Sequence, residues 1–500
     1  MAQREGGLAR LRARLNVTHR WLTFTSDVSA AWRIPNVRKG LLGTTLLSLG
    51  SLTPAYLPQN SPWWTPLRAL GLDSGPGVVV GTLMVIMGAA LLVDAWFRLR
   101  PSVYHEVKHW AVLLLWSLPL LAAPPIFSHD AYSYAAQGWL MYNGLNPYEV
   151  GPGTLPGAFA DQVAWVWRQT PSPYGPLSLE ISNGLVRLAG LNPYYTAVLE
   201  RIPALIGVGL LAALIPRLAV RHGRDPQAAA WFATINPLLI IDFVGGMHND
   251  ALMMGGVVLA LWLADRNRFL WACVVVGLAA AIKQPAFLAA YPVALLNHPW
   301  DGWGWRSTRK MLLRFGFASA VSIGTFAAVS IATGLNFGWL NAVAVPGMVI
   351  SLAPFTLLGW GIQSLLNVWN LDPSGHLALD WCRYIGLGLA ALVVVRLAVT
   401  RGRREPLTFL SWSYLAVALG SPALHSWYLQ WGGQLLPLSD ASERWTRTAV
   451  IVTAVLLGYS VGNFAWRNDA IALAFAALGL IIAVMWWHVQ RAADPKGVDA

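Results

Sequence analysis

Apolar runs of roughly bilayer length recur along this chain from about residue 40 to 488, each bounded by short polar or basic clusters. A helix needs roughly 20 apolar residues to cross a bilayer. Candidate spans fall at roughly 40–57, 76–97, 108–126, 195–216, 227–244, 250–264, 311–333, 380–398, 406–420, 427–438, 448–464 and 470–488. A further apolar stretch, 269–298, is interrupted by Lys283-Gln284-Pro285. The pattern predicts an all-α polytopic membrane protein, with about 12 spans and a broken or re-entrant helix pair. One membrane domain, 40–490, lies between a basic arm, 1–39, and a short tail, 491–500.

Composition agrees with this reading. The 500 residues are 56% hydrophobic and 12% charged, against about 25% charged in soluble domains. A net charge of +12 would suit nucleic acid, but the basic residues sit in clusters between apolar runs. That is a topological signal, so the expected partner is the lipid bilayer and no nucleic acid. Cys273 and Cys382 both fall at predicted membrane depth, which argues against a disulfide framework or thiol chemistry. The first apolar run follows an arginine-rich arm and reads as a signal anchor.

Charge also orients the chain. With the arm cytoplasmic, alternation of the spans puts 28 of the 35 Lys and Arg residues inside, a bias that fixes the orientation by the positive-inside rule. Only Arg68, Arg168, Arg187, Arg201, Lys283, Arg383 and Arg467 remain for the outer side or the spans. Both termini are then cytoplasmic. The stretch 269–298 must leave and return as two short helices broken near Pro285, and 334–379 must lie outside as loops and partial helices. Non-helical backbone at that depth needs cover from protein or a water-filled cavity, so a cavity is expected.

The polar elements gather on the outer side. The main exofacial loop, 128–194, opens Ser128-His129-Asp130-Ala131-Tyr132-Ser133-Tyr134, and its length predicts short helices of its own. It continues through Gly144-Leu145-Asn146-Pro147-Tyr148 and Ser172-Pro173-Tyr174-Gly175-Pro176. Tyr132, Tyr134, Tyr148 and Tyr174 offer flat faces for sugar rings. Asp130 suits a general base at the membrane surface, and equally an N-cap for a helix beginning at Ala131; the residues alone leave both open. His129 is a weaker neighbour. His248-Asn249-Asp250 could bind phosphate or cap the next helix, and no usual metal-ligand spacing accompanies it. Lys283 can snorkel or bind an anion. Arg201 can pair with Glu200 or clamp phosphate. His425, within Ser421–Tyr428, earns its place by facing the same side. The segment 334–356 is rich in turn formers that suit backbone over a cavity.

Two classes fit at this point. A transporter places its site near the midplane in broken helices of two matching halves, but one break stands here without a partner. Clustering at one face favours an enzyme that acts on a lipid-linked substrate.

The runs His129–Tyr134, Gly144–Tyr148 with Gly151-Pro152, Ser172–Pro176, His248-Asn249-Asp250 and Lys283-Gln284-Pro285 together resemble the actinobacterial polyprenol-phosphate-mannose-dependent α-(1→6)-mannopyranosyltransferases of lipomannan and lipoarabinomannan synthesis, members of the GT-C superfamily. The likeness covers about residues 40–490. It implies a GT-C-like bundle in the plasma membrane with an outward-facing site. It further implies a polyprenyl-phosphate-mannose donor, a mannan or lipomannan glycolipid acceptor, and inverting transfer. The acidic residue of the first large outer loop, here Asp130, would be catalytic. From their placement in the chain, not from the resemblance, Lys283 and then Arg201 are the expected phosphate ligands, with His129, Tyr132, Tyr134, Tyr148, Tyr174, His248, Asp250 and His425 around the substrate. No cofactor is expected, and a divalent metal is left open. Transfer of a different hexose or pentose, or transport of a lipid or solute, remains the alternative.

Overall fold

The computed structural model describes residues 23–53, 57, 61–101, 107–298, 300, 302–342, 345, 352–372, 374–466 and 469–493. The described residues are helical or irregular, with no strand among them. Five helices are long and apolar enough to cross a membrane: Gly75–Arg98, Pro193–Arg221, Trp305–Ala332, Leu377–Thr400 and Glu443–Asn463. The bent pair Pro226–Thr234 and Leu239–Gly245 makes a sixth if counted as one span. The other expected crossings fall on shorter helices. The run at 108–126 yields a helix of 9 residues, His109–Ser117, and a single further turn before extended chain. The run at 427–438 gives 8 helical residues, Ser426–Gly433. Apolar length overstates helix length where Pro119 and Pro437 interrupt the ladder, because proline supplies no N–H to it.

Small residues set the close helix contacts. Gly207 and Gly255 face each other between Arg201–Arg221 and Asp250–Asp265, where an added Cβ would meet backbone 2.1–2.6 Å away. Gly43 and Gly88 do the same between Pro35–Ser51 and Gly75–Arg98. In lipid, where apolar side chains gain little by meeting one another, such approaches supply the packing.

Three features position the chemistry. The stretch 269–298 forms a hairpin: Phe269–Ala280, a bend at Ala281–Lys283, then Gln284–Ala289 and Ala290–Leu295. Asn297 Nδ2 donates to Asp265 O and to Asn267 Oδ1, both at 2.9 Å, so the two ends of the excursion lie together and Lys283 is at its tip. Loop 172–177 docks on that tip. Gly175 N–H donates to Ile282 O at 3.1 Å and Leu177 N–H to Ala281 O at 2.9 Å. A Cβ at Gly175 would lie 2.2 Å from Ala281 O, which explains glycine there.

The third feature is Arg201, which corrects the sequence expectation. It is 3% exposed. Its Nε donates to Val244 O at 2.9 Å, Nη1 to Leu121 O at 2.6 Å and Nη2 to Ala123 O at 2.8 Å. Buried, with three of its five N–H donors on carbonyls, it ties the chain entering Asp130 to the chain entering His248. Arg201 is a backbone clamp, buried and outside the lining of the cavity where a phosphate would sit.

Two outcomes follow. Arg201→Met should lower stability in detergent by at least about 4 kcal/mol, since it removes three hydrogen bonds from a charged group, each worth about 1.5–3 kcal/mol; an unchanged thermal midpoint would refute the clamp. Gly175→Ala should leave the protein folded but cut transfer activity by lifting loop 172–177 off the hairpin tip, measured as kcat/KM in membranes.

Candidate active site

Asp130 stands at the first position of the helix Asp130–Tyr142, and Ser128 Oγ accepts its backbone N–H at 3.1 Å. The preceding Phe127 takes φ 60°, a left-handed turn that brings the helix start to the cavity floor. The cap reading therefore goes to its neighbours: His129 occupies the N-cap position without a side-chain capping bond, and the Asp130 carboxylate is left for other work.

That carboxylate is 19% exposed and meets His248, whose Nδ1 lies 3.3 Å from Oδ2. His248 is itself 1% exposed and is aimed by Met247, which also has a left-handed backbone, at φ 59°. Its ring stacks on Trp427 at 3.7 Å, and His425 stacks on the same indole at 4.5 Å, parallel to within 6°. Burial pushes the Asp130 carboxyl up, but contact with His248 and the positive charges around it, including Lys283, outweigh burial and hold it below the ordinary carboxylate range. Burial pushes the His425 imidazole down to about 4, so His425 is a neutral ring at physiological pH. Burial, and then the Asp130 charge, push the Tyr174 phenol well up, so it remains a hydrogen-bond donor.

Lys283 faces the same chamber from the hairpin tip. Its Nζ binds both carboxylate oxygens of Asp250, at 2.9 and 2.8 Å. Trp431 Nε1 donates to Asp250 Oδ1 at 2.6 Å, so the fully buried carboxylate is satisfied. The ammonium also lies 4.6 Å from the Tyr428 ring centroid and 5.8 Å from that of Tyr174, within cation–π range. The pair is close to neutral as a unit, so Lys283 offers an oriented N–H donor more than a net charge.

These groups border one cavity of about 1850 Å³, larger than the roughly 300–1,000 Å³ of an ordinary small-molecule site. His129, Asp130, Tyr174, Lys283 and His425 line it. Other expected substrate residues stand behind the wall. Tyr132 and Tyr134 are buried, Tyr134 meeting Tyr174 edge-on at 4.9 Å. Tyr148 is 1% exposed and donates its hydroxyl to Tyr174 O at 2.8 Å. His248 and Asp250 aim Asp130 and Lys283. For Tyr132, Tyr134, Tyr148, His248 and Asp250, direct contact with substrate is thus replaced by support of the lining, because burial leaves them no cavity face.

Sequence reasoning missed four contributors. Arg168 lines the cavity, donating from Nη2 to Asp161 O at 3.2 Å while its Nε has no hydrogen-bond partner; its signal was to be one of seven basic residues left off the inside. Asp242, 3% exposed in an apolar run, accepts the His248 backbone N–H on its carbonyl at 3.3 Å. Trp427 and Trp431 order the two histidines and Asp250. Among the described residues no three His, Cys, Asp or Glu side chains converge as metal ligands.

Comparison with known proteins gives this geometry a family. Residues 37–298 match the family described as α-(1→6)-mannopyranosyltransferase, N-terminal domain, and residues 355–463 match the MptB C-terminal domain. The chain is 29% identical over 93% of its length to α-(1→6)-mannopyranosyltransferase A of Mycobacterium tuberculosis, covering 91% of that protein. It is 32% identical over 84% of its length to a probable α-(1→6)-mannopyranosyltransferase of Mycolicibacterium smegmatis, covering 81% of it. A third relative, α-(1→6)-mannopyranosyltransferase B of Corynebacterium glutamicum, is 26% identical over 90% of the chain and is covered to 81%. No solved structure matches. The chain belongs to the α-(1→6)-mannopyranosyltransferase family and is a membrane glycosyltransferase.

Proposed function

We propose that the protein moves mannose from a β-linked polyprenyl-phosphate donor to the 6-hydroxyl of a mannan or lipomannan acceptor, forming an α-(1→6) bond with inversion on the non-cytoplasmic face of the plasma membrane. The observation that carries this reading is Asp130: a carboxylate kept ionised beside a buried histidine, on the wall of a cavity of about 1850 Å³.

In this mechanism Asp130 takes the acceptor hydroxyl proton as the oxygen attacks the anomeric carbon. The bond from that carbon to the phosphate oxygen breaks, and its electron pair leaves with polyprenyl phosphate. The nearby carboxylate also favours positive character developing on the sugar ring, as in other glycosyl transfers. Lys283 and Arg168 donate hydrogen bonds to the leaving phosphate, and the aromatic cluster keeps water out so that these donors act at low dielectric. His248 is a positioning residue: it aims Asp130 and keeps it charged. The Arg168 guanidinium and the Lys283 N–H donors meet the charge developing on the phosphate, and this reading assigns no step to a divalent metal. The shorter apolar helices complete a GT-C-like bundle of about 12 crossings, with both termini cytoplasmic.

Transfer of labelled mannose from synthetic polyprenyl-phosphate-mannose in membranes tests the assignment. Asp130→Asn should lower kcat by roughly 10²–10⁴ with the protein still folded, and an unimpaired variant would remove the base. The base must be ionised, and its pKa is depressed, so kcat/KM should stay level from neutrality to about pH 5 and fall only below about pH 4. His248→Asn removes the main lowering influence, so the acid limb should move to higher pH; a limb that stays in place would deny His248 its part. Lys283→Met should destabilise by about 3–5 kcal/mol by stranding Asp250, while Lys283→Met with Asp250→Leu should recover stability but not activity. EDTA should leave the rate unchanged.

A further inference from the structure

A second cavity, about 730 Å³, lies away from the active site between the helices His109–Ser117, Arg201–Arg221 and Pro226–Thr234. Its length is walled by apolar or small side chains, among them Leu113, Leu121, Leu205, Val208 and Ala212. One end is different. There Lys108 precedes the first helix, Arg217 sits in the last turns of the second, and Gln227 opens the third. The Arg201 bond to Leu121 O places residues 121 and 201 at one end, so Lys108 and Arg217 share the other.

Two buried polar atoms at this end have no hydrogen-bond partner: His109 Nε2, on a residue 5% exposed, and Gln227 Oε1. Both residues line the cavity. An unanswered donor or acceptor in an apolar wall is costly; a phosphate oxygen can answer an N–H at His109 Nε2, whereas Gln227 Oε1 accepts only and needs a headgroup hydroxyl. Asp225 is the acidic group nearby, and its carboxylate already caps its helix by accepting Gln227 N–H at 2.8 Å. Lys108 and Arg217 are exposed, so the rim is net basic.

Dimensions select the ligand. From Leu205 to Arg217 is twelve helical steps, about 18 Å at 1.5 Å each. That is close to half of a hydrocarbon core of about 30 Å, the depth of one leaflet. We propose that this slot binds an anionic glycerophospholipid, one acyl chain lying along the apolar wall and the headgroup phosphate between Lys108 and Arg217, within reach of His109. A long polyprenyl chain would overrun a groove of one leaflet's depth, so the occupant differs from the donor. The site is separate from Asp130 and does not depend on the reaction assigned to it.

The test uses purified full-length protein, stripped of lipid in detergent and titrated with phosphatidylglycerol or phosphatidylcholine, with thermal midpoint and native mass spectrometry as readouts. One phosphatidylglycerol should remain bound per chain and raise the midpoint, and phosphatidylcholine should bind about 30-fold more weakly, the factor expected for two cations near a membrane surface. Lys108→Gln with Arg217→Gln should abolish that preference. Gly209 lines the groove, and a Cβ there meets nothing within 4 Å, so Gly209→Leu should fill the slot and expel both lipids without disturbing the fold. Should the double variant not fold, Gly209→Leu decides alone. Equal binding of the two lipids, a preference surviving the double variant, a lipid retained by Gly209→Leu, or preferential retention of polyprenyl phosphate would each overturn the proposal.

Discussion

Much of this fold hangs on one buried guanidinium. Arg201 reaches from the start of its long helix to carbonyls at 121, 123 and 244, joining two segments that have no regular ladder of their own at those points. The chain then runs seven residues from Ala123 to Asp130 and four from Val244 to His248. Each arm ends in a left-handed residue, Phe127 or Met247, before delivering its side chain. Short arms from a common anchor hold a carboxylate and an imidazole within 3.3 Å across 118 residues of sequence. Only arginine, with five donors in a rigid fork, can answer three divergent carbonyls at once.

The site's electrostatics divide into a silent pair and an exposed acid. Asp250 and Lys283 neutralise each other and are held by Trp431 and Tyr428, so they give the cavity shape and oriented donors at little cost in unpaired charge. Asp130 has a histidine on one side and open cavity on the other. The two indoles serve both: Trp427 lies between His248 and His425, and Trp431 binds Asp250. A polar site in an apolar bundle is stable here because nearly every buried charge in it has been answered.

The chain's organisation was legible where the physics is local. Apolar length and basic clusters gave the membrane class, and the interruption at Lys283-Gln284-Pro285 gave the hairpin, because a proline and a charge within an apolar run leave a helix few options. The loop beginning at Ser128 announced itself by its proline, glycine and tyrosine content. Long-range partners were not legible. Arg201 looked like an anion ligand because its carbonyl acceptors carry no sequence signature, and Tyr132, Tyr134 and Tyr148 looked like sugar platforms because composition does not say which side of a wall a ring faces. Asp242 was hidden by its apolar neighbours, and Arg168 by lying in a loop without periodicity.

The hairpin 269–298 returns to its point of entry, with Asn297 bonded back to Asp265 and Asn267. A segment that enters and leaves on one side contributes an even count of passages, namely none, to the parity of the chain. Its two arms can therefore change in length together without inverting any helix that follows, while the tip stays fixed by Lys283 and the docked loop 172–177.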